Sequence, residues 1–474
     1  MKEHSTSISG TLNSLPESVK KEILELIRTQ SPADEVSWFD GKQIDEFLFG
    51  EAYLVQHPLI FYNGMFFDRD GRVGNTDTLC REIAEMIRPF RTCNIARTAE
   101  RLLNAVKLSC MQDEIPVQTD RIHVGNGTLF LNGHFTEEKA ICRNRLPVNY
   151  LPDAPAPKVL LRFLNDLLEP EDIPTLQEYL GYTLIPTTKA QKLLLVIGDG
   201  GEGKSTLGRV LRILIGSNMN TGSIQKLETN KFFLSAQEGQ LLLMDDDMEL
   251  EALRNTATLK TIVTMEDKID IERKGEQSRQ ALLYTRLIGF GNGTLKALYD
   301  RSGGFFRRYI ILVTRPRAAD RIDDPFLAEK LAKEKEGILL WCFEGLQRLV
   351  ANGYRFTISQ RAKENLEKAR EDGDNIASFM RSDGYIRYQK DASALTRDIY
   401  SAYRVWCANN LLTPLGMKSF ASHLRAHQTE YDITYNEKLK SRDGKDARGY
   451  NGVYVPEHYD GWTDVKDPSM VPFD

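Results

Sequence analysis

Short apolar runs alternate with helical patterns in the middle of the chain. Four such runs, each bounded by turn residues, predict buried parallel strands: Leu193–Ile197, Leu241–Met244, Leu287–Phe290 and Tyr309–Val313. Apolar residues at helical spacing follow the first run at 206–215 and the last run at 325–350 and 359–371. This alternation predicts an α/β fold with a core built on a parallel sheet.

The first 150 residues predict a mixed α+β region. Helical periodicity covers Ser18–Arg28 and Asp77–Leu108. Asn-Gly pairs between apolar runs predict two β-hairpins, at 61–67 and 128–135. Prolines then recur through Pro147–Pro157, which predicts a stiff, non-helical connector.

The pattern changes again near residue 376. Two predicted helices, Thr396–Asn409 and Met417–Ala426, precede a predicted hairpin at Tyr431–Tyr454 with a charged, glycine-containing loop. A helix, a helix and a two-stranded wing form the outline of a winged helix. We therefore predict an N-terminal accessory domain (1–150), an α/β core (151–375), a C-terminal winged helix (376–455) and a flexible tail (456–474).

Composition and charge limit the classes of function. The 474 residues carry a formal net charge of −5, which excludes a uniformly basic chain and leaves only local basic patches for nucleic acid. No apolar run approaches the roughly 20 residues that cross a membrane, and Met1–Ser14 lacks a signal-peptide core. We expect a cytoplasmic protein without a membrane partner. The six cysteines show no zinc-site spacing.

A glycine-rich loop follows the first predicted strand. Residues 198–205 match G-x-x-x-x-G-K-[ST], in which glycines let backbone N–H groups wrap a triphosphate. In such a loop Lys204 reaches the β- and γ-phosphates, and Ser205 places its hydroxyl on Mg²⁺. The alternative is an unrelated surface loop, but the flanking strand and helix favour the phosphate loop. ATP is therefore predicted to bind at Gly198, Asp199, Gly200, Gly201, Glu202, Gly203, Lys204, Ser205 and Thr206.

Two carboxylates end the second apolar run. A nucleotide hydrolase needs one acid to hold Mg²⁺ and often a second to position the attacking water. We assign Asp245 to the metal and Asp246 to the water, while Asp247 leaves this register open by one residue. The alternative is an acidic cluster at the N-terminus of a helix covering Met248–Leu253.

The third and fourth runs carry further polar candidates. Asn292 ends the third run, where its amide could hold water against the γ-phosphate, although Asn292-Gly293 is also a good turn. Arg307 and Arg308 precede the fourth run. Either could act as an arginine finger on a neighbouring subunit, or both could be structural arginines.

The order of these motifs resembles superfamily 3 helicases. The resemblance is to the phage, plasmid and satellite primase–helicase branch that is related to poxvirus helicases. It extends from about Phe61 onward and includes Gln177–Tyr182 before the core and Leu340–Leu346 after it. The motif order is more specific than any single motif.

The resemblance implies an AAA+-like core that assembles as a ring, usually a hexamer, around DNA, with ATP and Mg²⁺ between subunits. The family's Walker A motif falls on 198–205, with Lys204 in its catalytic position, and its Walker B motif on Asp245 and Asp246. The sensor asparagine falls on Asn292. The arginine finger falls on Arg308, with Arg307 as the alternative.

The family also has a pore hairpin between the Walker B motif and the sensor. Here residues 268–275 alternate apolar and polar side chains up to a glycine turn. Lys268, Arg273 and Lys274 are the candidate contacts with a single DNA strand. The alternative is a solvated surface hairpin, because Glu272 and Glu276 offset some of the charge.

The two ends of the chain complete the hypothesis. Primase chemistry needs several acids arranged for two metals, and the N-terminal region offers only Asp68-Arg69-Asp70 for that purpose. We therefore expect no primase domain and a separate primase as a possible partner. The candidate contacts with duplex origin DNA are Lys418, Lys438, Lys440 and Arg442. The alternative is a winged helix that binds protein. The prediction is a replicative helicase and initiator of a phage, satellite or plasmid. The alternatives are an origin-binding ATPase that recruits another helicase, and a regulatory switch that does not translocate.

Overall fold

A computed structural model describes ten stretches of the chain: residues 36–248, 257–264, 267–275, 277–292, 307–318, 323–373, 375–410, 412, 414–441 and 443–456. Three predictions fall wholly or largely outside them: the helix Ser18–Arg28, the role of Arg442 and the C-terminal tail.

Over residues 36–150 the N-terminal region combines three helices with two small antiparallel sheets. Its elements are α1 (Glu46–Gln56), β1 (Ile60–Tyr62), β2 (Met65–Asp68), β3 (Gly71–Arg72), α2 (Thr76–Ile87), α3 (Ile95–Ser109), β4 (Arg121–Val124), β5 (Gly127–Phe130) and β6 (Phe135–Thr136). Both predicted hairpins are confirmed. The predicted helix 77–108 is two helices, because Pro89 cannot continue α2 and Asn94 adopts a left-handed conformation before α3.

The core is a five-stranded parallel sheet in the order β13-β7-β12-β9-β8. Its elements are α4 (Lys158–Leu167), α5 (Ile173–Tyr182), β7 (Leu193–Gly198), α6 (Lys204–Ile215), β8 (Met219–Thr221), α7 (Lys226–Thr229), α8 (Lys231–Ser235), β9 (Leu242–Met248), α9 (Ala257–Thr264), β10 (Ile269–Ile271), β11 (Arg279–Ala281), β12 (Arg286–Asn292), β13 (Tyr309–Val313), α10 (Leu327–Lys333), α11 (Lys335–Ala351) and α12 (Gln360–Gly373). All four predicted strands are confirmed, and the edge strand β8 is additional.

Both faces of this sheet are buried. Leu194 and Val196 of β7 belong to one apolar cluster, whereas Leu193, Leu195 and Ile197 belong to another. Successive side chains of a strand point to opposite faces, so a strand covered on both sides is apolar at every position. This explains why the four strands appear in the sequence as unbroken apolar runs.

Two features near the core differ from the predicted pattern. The predicted helix 325–350 divides at Glu334, whose carboxylate accepts hydrogen bonds from the backbone of Val159 and Leu160 at the start of α4. Residues of β4 and β5, among them Ile122 and Leu129, pack into one of the two core clusters. The domain boundary at residue 150 stays a prediction.

The C-terminal region has its own apolar cluster around Phe379, Tyr403 and Phe420. Its elements are α13 (Asn375–Met380), β14 (Arg387–Leu395), α14 (Thr396–Asn409), α15 (Met417–Ala426), β15 (Thr434–Lys440) and β16 (Asp446–Tyr454). Both predicted helices and the hairpin are confirmed. The sequence did not indicate β14, which completes a three-stranded antiparallel sheet, because most of its side chains are exposed. No helix in the described stretches has the length and apolarity needed to cross a bilayer.

Candidate functional site

The predicted nucleotide motifs converge at one edge of the parallel sheet. Strand β12 lies between β7 and β9, and all three run in the same direction. Asn292 pairs in register with Gly198 at the start of the glycine-rich loop, and Gly289 pairs with Asp245. The carboxyl ends of adjacent parallel strands form the usual ligand-binding edge of an α/β sheet.

The loop between β7 and α6 has a backbone that favours glycine. Gly200, Gly201 and Gly203 have φ values of 118°, 80° and 125°, a region that other residues rarely adopt. A side chain at Gly198 would collide with the hydroxyl of Thr314. Helix α6 begins at Lys204, so its N-terminus opens onto the loop. This is the strand–loop–helix arrangement expected around a phosphate-binding loop.

A buried ion pair lies within the loop. Lys204 Nζ donates to Glu202 Oε2 at 2.9 Å, and the Gly200 amide donates to Glu202 Oε1 at 2.6 Å. The exposed fractions of Glu202 and Lys204 are only 3% and 8%. Burial raises the pKa of Glu202, but the hydrogen bonds from Lys204 and the backbone outweigh it and hold the pKa below its ordinary value. The carboxylate thus uses two donors that a bound phosphate group would need.

The acidic end of β9 contains a β-bulge. From Asp245 to Met248 the strand advances three residues while β12 advances two, from Gly289 to Gly291. As a result Asp246 and Asp247 are both exposed rather than on opposite faces. The acids therefore lie on a strand, as predicted, and the alternative helix Met248–Leu253 falls largely outside the described residues.

Asp245 differs from its neighbours in its environment. It is buried, and its Oδ2 accepts a hydrogen bond of 2.8 Å from the backbone N–H of Ile224. Burial raises the pKa of this carboxyl group. A cation beside it would favour the charged form, so the position suits a metal ligand. Asp246 instead contacts solvent and lies 3.7 Å from Arg212, an ion pair that is about half exposed.

The structure separates Arg307 and Arg308 from this edge. Both precede β13, and the carbonyl of Arg308 accepts a hydrogen bond from Leu193 at the start of β7. The loop begins at the other end of β7, five residues away, which is about 17 Å along a strand. Within one chain the two arginines therefore lie at the edge opposite the loop.

Two residues that the sequence did not suggest contact the loop. Thr314 and Arg317 follow the carboxyl end of β13, which is adjacent to β7. Thr314 lies against Gly198, and Arg317 Nη1 lies 3.4 Å from the position that a Cβ on Gly201 would occupy. Polar residues directly after a parallel strand were the available signal. The two residues were missed because only the fold shows that β13 lies beside β7.

The predicted pore hairpin is present, but one of its cations is not free. Strands β10 and β11 pair antiparallel, and Lys268 and Lys274 are exposed. Arg273 Nη2 instead contacts Glu238 Oε2 at 2.9 Å, and its Nη1 donates to the backbone oxygen of Asn63 at 2.8 Å. Arg279 also pairs with the buried Glu238, and Asn63 donates to it. We call these four residues the Glu238 cluster.

The remaining predicted DNA contacts are in the C-terminal region. Lys418 lies in the first turn of α15, and Lys438 and Lys440 lie on β15. All three are exposed, and Lys440 forms an ion pair with Asp446.

Comparisons with known proteins give one family match and several weakly similar structures. A family described as of unknown function (DUF5906) matches residues 196–308, which include the loop, the acidic strand end and both arginines. Two structures of the NrS-1 C-terminal region, both titled A form apo, are 12% identical to this chain. The first covers 83% of this chain and 88% of that chain with a TM-score of 0.47. The second covers 86% and 100% with a TM-score of 0.46.

Proposed function

We propose that this protein is an ATP-dependent DNA helicase that also initiates replication of a phage, satellite or plasmid element. One observation carries the proposal. The glycine-rich loop, the acidic end of β9 and Asn292 lie together at the carboxyl edge of a parallel sheet. Residues that bind, activate and sense a triphosphate need this proximity.

The loop residues suit ATP with Mg²⁺. Lys204 would leave Glu202 and pair with the β- and γ-phosphates, and the loop amides would hold the same groups. Ser205 and Asp245 offer the hard oxygen ligands that Mg²⁺ prefers. In the described stretches no cluster of three or more His, Cys, Asp or Glu side chains forms a separate metal site. Bound Mg²⁺ would neutralise developing charge on the phosphates.

The other polar groups divide the remaining tasks. Asp246 is exposed beside the buried Asp245, so it can orient and deprotonate the attacking water. Asn292 pairs in register with Gly198, which supports a role for its amide in detecting the γ-phosphate. Thr314 and Arg317 line the same loop and can stabilise phosphate charge within the chain.

The position of Arg307 and Arg308 supports an assembly. About 17 Å of strand separates them from the loop of their own chain, so either would act on the nucleotide of a neighbouring copy. An AAA+-like ring, most simply a hexamer, provides such interfaces. In the ring Lys268 and Lys274 would contact a single DNA strand, and Arg273 would join them when the Glu238 cluster opens. Cytoplasmic location, a separate primase and duplex origin DNA at a winged helix belong to the same proposal.

One observation favours a second candidate. Arg273 is tied to Glu238 and Asn63, which holds the hairpin against the N-terminal region. A hairpin held in this way fits an origin-binding ATPase that recruits another helicase, or a nucleotide switch, better than a translocating motor.

Strand displacement on forked DNA with ATP separates these candidates. The matched variant is Lys204→Ala, and the control is Lys226→Ala, an exposed lysine outside the loop. We expect unwinding by the wild type and the control but not by Lys204→Ala. DNA-stimulated hydrolysis without unwinding would favour the origin-binding ATPase. Hydrolysis that ignores DNA would favour the switch.

A further inference from the structure

The C-terminal region contains a basic cleft between α14, α15 and its sheet. The cleft encloses about 560 Å³ and opens to solvent. We call the four cations that line it the cleft cations: Arg397, Lys418, Arg425 and Arg448. They come from the start of α14, the two ends of α15 and the strand β16, so residues far apart in sequence face one space.

The cleft cations have little compensation. Among the described residues no acidic side chain lines the cleft. Arg397 lies 3.5 Å from Asp398, but that pair is more than half exposed and therefore weak. In the described part of the chain Lys418 and Arg448 form no ion pair. Four cations around one concave surface raise the local potential and favour a polyanion.

We propose that the cleft binds the sugar–phosphate backbone of duplex DNA. This deepens the proposed function by naming the duplex-binding surface, and it rests on that function only in taking DNA as the partner. It also relocates the contact, because the sequence analysis placed most of it on the wing residues Lys438, Lys440 and Arg442.

Charge and surface chemistry together favour duplex over single-stranded DNA. Single strands are held mainly by bases stacked on aromatic side chains. The cleft offers no such platform, because Arg425 covers the ring of Tyr435 at 4.0 Å and Tyr450 is buried. What the cleft presents is guanidinium and ammonium groups, which recognise phosphate oxygens.

The helices that form the wall add to this preference. α14 and α15 both begin at the cleft, at Thr396 and Met417. Neither N-terminus receives a side-chain cap. Their first backbone N–H groups are therefore available to phosphate oxygens beside the cleft cations.

The wing lysines are in a different situation. Lys440 already pairs with Asp446 on the neighbouring strand, and Lys438 lies outside the cleft. Two cations can therefore be removed either from the wing or from the cleft with the same change in net charge. The resulting losses of DNA affinity show which surface binds.

The test measures binding of the full chain to a labelled 20-base-pair duplex without nucleotide, by fluorescence anisotropy across a salt series. Lys418→Gln with Arg448→Gln is compared with Lys438→Gln with Lys440→Gln. We expect the cleft pair to weaken binding roughly tenfold to a hundredfold and to make the salt slope shallower by about two. The wing pair should change affinity less than threefold, or roughly 0.6 kcal/mol.

Three outcomes would overturn the proposal: unchanged affinity of the cleft pair, an equal or larger loss in the wing pair, or equal binding of single strands. A thermal unfolding midpoint within a degree of the wild type shows that the cleft pair folds. Arg448→Lys keeps the charge and should restore most of the affinity. Duplex binding that persists in a protein unable to unwind would refute the proposed helicase and leave the cleft assignment standing.

Discussion

The cations at Lys204 and in the Glu238 cluster pair with buried carboxylates, whereas the cleft cations are exposed to solvent. Lys204 is held by the buried Glu202, and Arg273 and Arg279 are held by the buried Glu238. The cleft cations face solvent without a buried carboxylate. A ligand entering the core must first displace an internal anion, whereas a polyanion can approach the cleft directly. The core cations are therefore suited to a response that begins only when a ligand displaces the internal carboxylate. The cleft cations are suited to binding a polyanion without such a displacement.

The largest effect should come from Arg308, which lies about 17 Å of strand from the glycine-rich loop of its own chain. Arg308→Ala should lower ATP hydrolysis by about 10³-fold or more while leaving nucleotide binding intact, because a finger acts on transition-state charge. Phosphate release and nucleotide titration measure the two. Mixing Arg308→Ala with Lys204→Ala subunits should restore activity at mixed interfaces. Full activity of Arg308→Ala alone would move the finger to Arg307.

A smaller effect is expected at Glu238, whose one buried carboxylate pairs with two arginines. Glu238→Gln should lower the free energy of unfolding by about 2 kcal/mol, because Arg273 and Arg279 would lose their shared partner. It should also increase protease cleavage within 272–278. Denaturant titration and limited proteolysis measure these changes. Glu272→Gln is the matched control, since its pair with Lys231 is exposed. Equal effects of the two variants would show that the Glu238 cluster contributes no more stability than an exposed ion pair.

A gain rather than a loss is expected at the loop. Glu202→Gln removes the charge that competes for Lys204 and the Gly200 amide, so ATP affinity should rise about tenfold, or roughly 1.4 kcal/mol. Titration with a fluorescent nucleotide measures it, with the exposed Glu85→Gln as control. Weaker binding in Glu202→Gln would show that the carboxylate supports the loop instead of occupying it.

The smallest effect should be at the half-exposed pair of Arg212 with Asp246, one of the proposed catalytic acids. Arg212→Gln breaks a half-exposed contact with Asp246, so the free energy of unfolding should change by less than about 0.5 kcal/mol. Thermal unfolding checks this. A loss above about 2 kcal/mol would show that Arg212 is bound as tightly as the buried ion-paired cations of the core.

The sequence predicted the parts of the fold that local pattern determines. Strands covered on both faces appear in the sequence as apolar runs. The glycines of 198–203 indicate a backbone conformation that only glycine adopts easily. The place of Asn292 at a strand end was also predicted, whereas its pairing with Gly198 is known only from the order of the strands in the sheet.

Features that depend on neighbours were not predictable in this way. The β9 bulge is a relation between two strands, and β14 is polar and exposed. The contacts of Arg273 depend on Glu238 and Asn63, which are distant in sequence. Period-two patterning indicated the hairpin correctly but carried no information about what its arginine touches.

The Glu238 cluster also sets an order of events during synthesis. Asn63 and Arg273 are 210 residues apart. At about 5–20 residues per second, roughly 10–40 s pass between the ribosome adding the first and the second. The backbone oxygen of Asn63 therefore gains its Arg273 partner only after three of the five core strands, β7, β8 and β9, have been synthesised. The contact between the N-terminal hairpin and the β10–β11 hairpin therefore forms only after both hairpins have been synthesised.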